Sequence, residues 1–361
     1  FQTCDPHLNH LTPLTMALRR RTSHLFCMPC ASSAALGTQI LGFGRAIALS
    51  RVWSSSADRK ALAQQRKHVK SEVLRIFGEH EQQFSPFQAV GFHHAFSIME
   101  ERDELFWSHL DRLALSLVPR FTPTQLGMVV HGCARRKITP RALLHAITEA
   151  TVVSATHGSH ELLVSIAYSC AKLRNNDDKT FSMLAERTVK MSSPLSSRDL
   201  AGVAWAFARI GRNDEAVFKT ISEACVRRLH QCTPTCLSML SWAFAKVSHI
   251  DSELFCGIAQ ASLNTGCQFN PQNLSNIAWA FATVGYNDVE LFDAISDSSH
   301  RILASFNLQN LVCLAWAFAK VGRDDILIFD AAAQTVLSNH NQTWADELWA
   351  LSWVFATVGR D

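Results

Sequence analysis

The stretch Leu314–Gly322, "LAWAFAKVG", sets a tryptophan among alanines with a phenylalanine two residues on, and the chain repeats it. Near copies are "VAWAFARIG" (203–211), "LSWAFAKVS" (240–248), "IAWAFATVG" (277–285) and "LSWVFATVG" (351–359). Their tryptophans, Trp205, Trp242, Trp279, Trp316 and Trp353, are each 37 residues after the last. The same interval reaches back to Tyr168, His131 and His94, so the frame extends to eight units with other flat rings replacing tryptophan.

Helix signals share this frame. Nine residues before the ring stand Ser85, Thr122, Ser159, Ser196, Thr233, Asn270 and Asn307, all residues that cap helix N-termini. Pro86, Pro123, Pro234 and Pro271 follow them, and Phe84, Phe121, Phe269 and Phe306 precede them as hydrophobic staples. Helix A therefore runs from this cap to the glycine six residues after the ring, Gly211, Gly285, Gly322 or Gly359. Asp177, Asp214, Asp251, Asp288 and Asp325 then cap a helix B with Phe181, Phe218, Phe255, Phe292 and Phe329 four residues on. Two helices per unit without insertion predict an all-α fold, a right-handed α-solenoid of two-helix repeats with a 37-residue period.

The phrase "LxxIAWAFAxVGxxDxxLF" at this period resembles the heptatricopeptide and octotricopeptide repeats and the helical arrays of FAST-kinase-like and RAP-domain proteins. It is also similar to the repeat domain of the kinetoplastid RNA-editing substrate-binding complex. The resemblance covers 85–361 and is strongest from Ser196 onwards. It implies an organellar RNA-binding protein acting in RNA processing, stability, translation or ribosome assembly.

The chain divides into three by composition. Residues 1–53 hold five arginines against one acid, Asp5, and read as an organelle transit peptide, with residues 1–15 ahead of Met16 as untranslated leader. "RVWSSS" resembles a mitochondrial processing site cleaved after Trp53, which points to the mitochondrial matrix, with the plastid as the alternative. Residues 54–84 read as a basic amphipathic capping helix and linker, and 85–361 as eight helical hairpins, the last incomplete. The apolar stretch of the leader is too short and interrupted to span a membrane.

Eleven scattered cysteines, with Cys27 and Cys30 a lone CxxC, imply neither a disulfide framework nor a zinc site. No phosphate loop, nucleophile elbow or metal-ligand cluster is present in the sequence, so neither an enzyme nor a cofactor is expected.

On a helical wheel, the positions five and two before the ring and two and five after it, Leu311, Leu314, Phe318 and Val321 in one copy, form the core stripe. The rings Tyr168, Trp205, Trp242, Trp279, Trp316 and Trp353 lie on the opposite side. With them lie Arg135, Lys172, Arg198, Arg209, Lys246, Gln272, Gln309 and Lys320. Rings alternating with cations suit single-stranded organellar RNA, mRNA or rRNA, because bases stack on rings and cations meet phosphates. Packing between repeats, with alanines allowing close helix approach, is the favoured reading of the rings, and direct stacking is the alternative. Candidate base readers are Arg212, His249, Tyr286 and Arg323 in the A-to-B turns, with Asn273 and Asn310 near helix A starts. Residues 54–361 are nearly neutral, with 29 basic and 30 acidic groups, which favours a rival reading as a protein-binding scaffold for RNA-processing or ribosomal proteins.

Overall fold

The computed structural model describes residues 70–71, 84–98, 101–136, 141–154, 160–192, 195–265, 269–338 and 345–358. The leader expected over 1–53 lies outside the described residues, as does the capping segment apart from Lys70, Ser71 and Phe84. All regular structure among the described residues is helical. No helix there is long and apolar enough to cross a membrane.

The chain forms two compact units, divided between Leu173 and Arg174. The first holds α1 (Pro86–Ile98), α2 (Glu104–Leu117), α3 (Pro123–Arg136), α4 (Arg141–Ser154) and α5 (His160–Lys172). Within it α1, α3 and α5 pack successively, with α2 and α4 beside them. Lys70 reaches the start of α2, hydrogen-bonding Glu101 and Asp103 with its ammonium 5.7 Å from the centre of the Phe106 ring.

The second unit holds α6 (Asp178–Lys190), α7 (Ser197–Arg209), α8 (Glu215–Val226), α9 (Pro234–Lys246), α10 (Ser252–Asn264), α11 (Pro271–Val284), α12 (Val289–Arg301), α13 (Leu308–Lys320), α14 (Ile326–Ser338) and α15 (Ala345–Val358). The A helices α7, α9, α11, α13 and α15 pack in series and make the most extensive contacts; the B helices meet one another less. Small residues explain that difference. Ala204, Ala206 and Ala208 of α7 and Ala278, Ala280 and Ala282 of α11 are buried, so backbones approach closely.

From α6 to α14 each helix start is closed by its own side chain. Ser196, Thr233, Asn270 and Asn307 accept hydrogen bonds from the backbone N–H of Asp199, Cys236, Asn273 and Asn310. Asp199 returns the contact to Ser196, completing a capping box. Asp177, Asp214, Asp251, Asp288 and Asp325 cap the B helices in the same manner. Helix A ends in a left-handed residue: Gly211, Gly285 and Gly322 have φ of 77°, 79° and 73°. Around Gly211, Arg212 N–H reaches Phe207 O at 2.9 Å and Gly211 N–H reaches Ala208 O at 3.1 Å, so the last carbonyls are satisfied.

The core follows the wheel except at the helix end, where Val321, expected in the core stripe, is only half-buried as the residue after the last turn of α13. Leu311, Leu314 and Phe318 are buried, and the fully buried Phe207, Phe244, Phe281 and Phe318 each meet a B-helix phenylalanine edge to face. The pairs with Phe181, Phe218, Phe255 and Phe292 have centroids 5.1, 5.0, 5.2 and 5.4 Å apart. Such edge contacts add about 1 kcal/mol each to the burial of the rings themselves.

Candidate nucleic-acid interface

The rings of the second unit form two runs, Trp205–Trp242–Trp279 and Trp316–Trp353. Trp205 and Trp242 have centroids 6.5 Å apart and planes tilted by 36°; Trp242 and Trp279 are at 6.4 Å and 34°, and Trp316 and Trp353 at 6.1 Å and 36°. Stacked bases rise about 3.4 Å each, so a base between two rings needs parallel planes about 7 Å apart. These rings are closer and tilted, so each already serves as its neighbour's packing partner. All five tryptophans are nevertheless half-buried, which leaves an edge of each open.

Four residues after the ring stand Arg209, Lys246, Thr283 and Lys320, all exposed. Arg209, Lys246 and Lys320 make no hydrogen bond or ion pair with a described residue. Seven residues before the ring stand Arg198, Thr235, Gln272 and Gln309, also exposed. The second unit thus presents an open face of ring edges, cations and uncharged polar groups.

In the first unit the same positions carry Arg135 and Lys172, both exposed, with the Lys172 ammonium 5.1 Å from the Tyr168 ring centre. Burial, and then the charges of Arg135 and Lys172, hold His131 below the ordinary imidazole pKa. A neutral imidazole between two cations leaves this face positive only through Arg135 and Lys172.

The turn residues read as base readers sit elsewhere and are engaged. The Tyr286 ring stacks on Phe255 at 5.9 Å and 16°, and the His249 ring on Phe218 at 5.5 Å and 30°. The guanidinium of Arg212 lies 5.0 Å from the Phe181 ring centre, and that of Arg323 lies 5.7 Å from the Phe292 centre. Arg212 also binds Asn176 and Asp178, and Arg323 binds Asp293 and the carbonyl of Val289. All four are flat groups laid over the helix B phenylalanine of the preceding repeat. Asn273 is buried too, accepting from Ser238 Oγ at 3.2 Å to tie α9 to α11. Asn310 is half-buried, its backbone N–H bonded to the Asn307 cap and its carbonyl accepting from Ser275 Oγ at 2.8 Å. Their signal was present in the sequence: Arg212, His249, Tyr286 and Arg323 each follow a phenylalanine by 31 residues.

The first unit also holds a buried polar cluster that the sequence did not announce. His93 Nε2 is 3.3 Å from Asp111 Oδ1, which also accepts from Arg136 at 2.7 Å, and Arg136 stacks 3.8 Å from the Trp107 ring centre. Burial opposes charge on His93, but the Cys133 sulfur and the Asp111 carboxylate outweigh it and raise its pKa to about 9. Cys133 Sγ lies 3.8 Å from the same Nε2, so one ring nitrogen faces both thiol and carboxylate. A nucleophilic triad instead uses the two imidazole nitrogens for different partners. Cys133 and His93 are also fully buried.

Cys232 and Cys236 lie with Sγ atoms 3.4 Å apart at the start of α9. Among the described residues no group of three or more histidine, cysteine or acidic side chains is placed to hold a metal.

Stacked helical hairpins with a face of ring edges, cations and uncharged polar groups define a helical-repeat protein. The family model described as RNA-editing substrate-binding complex 6 protein matches residues 87–359, most of the chain, and the chain belongs to that family. No curated protein matches it.

Proposed function

We propose that this protein is a right-handed α-solenoid of 37-residue units that binds single-stranded RNA in the mitochondrial matrix as part of RNA editing and processing. One observation carries the reading: Arg209, Lys246 and Lys320 stand exposed and unengaged beside the open edges of Trp205, Trp242 and Trp316. Cations meet phosphates there while ring edges and polar groups meet the bases. The family's description, an RNA-editing substrate-binding complex, supports the same substrate class. The reading assigns the chain no catalytic step and no cofactor.

A second reading has its own support. Residues 54–361 carry 29 basic and 30 acidic groups, a balance that suits a scaffold for other proteins of the complex at least as well as a nucleic-acid track. Binding of the full chain to a random pool of single-stranded RNA across a salt series separates the two. Affinity that falls steeply with salt, with a shallower slope in the Arg209→Gln, Lys246→Gln, Lys320→Gln triple variant, supports RNA binding. No binding at low salt leaves the scaffold.

A further inference from the structure

The face is not uniform, and α11 differs from its neighbours. Three residues before the ring, α7 has Gly202, α9 Met239 and α13 Cys313, whereas α11 has Asn276. Seven before, α11 has Gln272, one helical turn from Asn276 and on the same side of the helix. Of these four A helices, α11 alone carries an amide at both positions, and its residue four after the ring is the uncharged Thr283. Around the edge of Trp279, hydrogen-bonding groups therefore replace charges.

These two amides are also open. Gln272 is exposed and Asn276 half-buried, and neither side chain has a hydrogen-bond partner among the described residues. Asn273, also an amide near a helix A start, has its side chain taken up by Ser238 in a contact between helices, and Asn310, which engages through its backbone carbonyl, stands on a helix whose position three before the ring is a cysteine. Three residues before the ring on α13, Cys313 spends its thiol on the carbonyl of Ser275 at 3.6 Å. A half-buried amide that the fold leaves unpartnered keeps a donor and an acceptor for water or for a ligand that replaces it. On the helices packed to either side, Lys246 and Lys320 are exposed and unengaged.

We infer that α11 is a base-reading notch: Gln272 and Asn276 hydrogen-bond the edge of one unstacked adenine against Trp279, while Lys246 and Lys320 hold phosphates on either side. The inference rests on the RNA reading above and adds to it a position and a base. An amide pairs in bidentate fashion with an adjacent amino donor and ring-nitrogen acceptor: an open adenine presents that pair on two edges, N6 with N7 and N6 with N1, cytosine on one, N4 with N3, and uracil on none, and the purine also offers the larger face to the Trp279 edge, which favours adenine. Reading one base by two side chains of one helical repeat has the geometry that repeat arrays permit.

The test sequences the RNA that the full chain selects from a randomised single-stranded pool, for the wild type, Gln272→Ala, Asn276→Ala and the Lys246→Gln, Lys320→Gln pair. The wild type enriches adenine at one position on the order of tenfold, the size expected of a good bidentate contact. Asn276→Ala flattens that preference and changes affinity for a non-enriched RNA less than twofold. The lysine pair weakens all sequences alike and keeps the preference. Both amides are outside the core, and unchanged thermal melting of the variants establishes that the fold is retained. RNA binding without a base preference, with preference for another base, or with a preference that survives both alanine variants overturns the inference and leaves the RNA reading standing. No RNA binding by the wild type overturns both.

Discussion

The Tyr286 ring lies nearly parallel over Phe255, 5.9 Å away, and so joins the turn of one repeat to helix B of the one before. Arg212, His249 and Arg323 do the same over Phe181, Phe218 and Phe292. What these positions share is planarity: guanidinium, imidazole and phenol all stack on a ring. Residues of different type there are interchangeable as packing planes, and Arg212, His249 and Arg323 add ion pairs with Asp178, Glu215 and Asp293.

Replacing Tyr286 by alanine removes the stack and lowers the stability of the second unit by about 1–2 kcal/mol. Tyr286→Arg and Tyr286→His, which supply another plane, stay within about 0.5 kcal/mol of wild type. Urea unfolding of the full chain, followed by tryptophan fluorescence, measures both. Equal losses in all three variants would show that planarity is irrelevant.

Helix A of the Trp242 repeat ends at Ser248, which holds a left-handed φ of 56° where its neighbours have glycine. A serine pays a steric cost there that glycine avoids. Ser248→Gly raises stability by up to about 1 kcal/mol, and Gly285→Ala, at φ 79°, lowers it by about the same amount. Nothing lies within 4 Å of a Cβ added at Gly285, so the loss comes from backbone strain alone. Thermal melting of the two variants checks the opposite signs.

His93 gives the first unit a pH dependence. Its pKa, about 9 when folded against 6.5 for an unperturbed histidine, means the folded state binds the proton more tightly. The stabilisation is fully present below pH about 6.5 and is lost as pH rises through about 9, by a few kcal/mol at most. Asp111 has the opposite sign: burial pushes its carboxyl up, but hydrogen bonds from His93 and Arg136 hold it below the usual range, so its contribution is lost only as pH falls into the acid range and does not offset the fall above pH 6.5. Stability of the full chain therefore falls between pH 6.5 and 9, and in His93→Gln that fall is reduced. An unchanged pH profile in the variant would mean that His93 is neutral in the fold.

Packing and function divide at the tryptophans. Trp242 touches both Trp205 and Trp279, so Trp242→Ala opens two contacts and costs about 3 kcal/mol even though the ring is half-buried. Trp242→Phe keeps a ring and costs less than half of that. Chemical denaturation orders the two, and equal losses would mean that the ring contacts contribute little.

The fold was legible because caps and core shared one frame. Asn307, Asp325 and Gly322 each announce a helix boundary by a mechanism confined to a few neighbouring residues, and each is found at that boundary. The wheel likewise put Phe318 inside and Trp316 towards the other face. Side-chain partners were less legible, because they depend on what the adjacent repeat places opposite. Tyr286 and Asn273 were singled out for their hydrogen-bonding groups, yet a ring lies under one and Ser238 against the other. His93 finds its carboxylate in Asp111, 18 residues away and outside any repeat spacing, so no periodic signal could mark the pair. Asn276, three residues before Trp279, shares the ring's face by helical spacing, but its lack of a hydrogen-bond partner is a property of the folded packing.

The measurement that tests the central claim most directly is ultraviolet crosslinking of the full chain to single-stranded RNA carrying 4-thiouridine, with the modified peptides mapped by mass spectrometry. Adducts in α7, α9, α11 and α13, at or beside Trp205, Trp242, Trp279 and Trp316, are the predicted result. Adducts confined to the B helices or to the turns at Arg212, His249, Tyr286 and Arg323 would contradict the account.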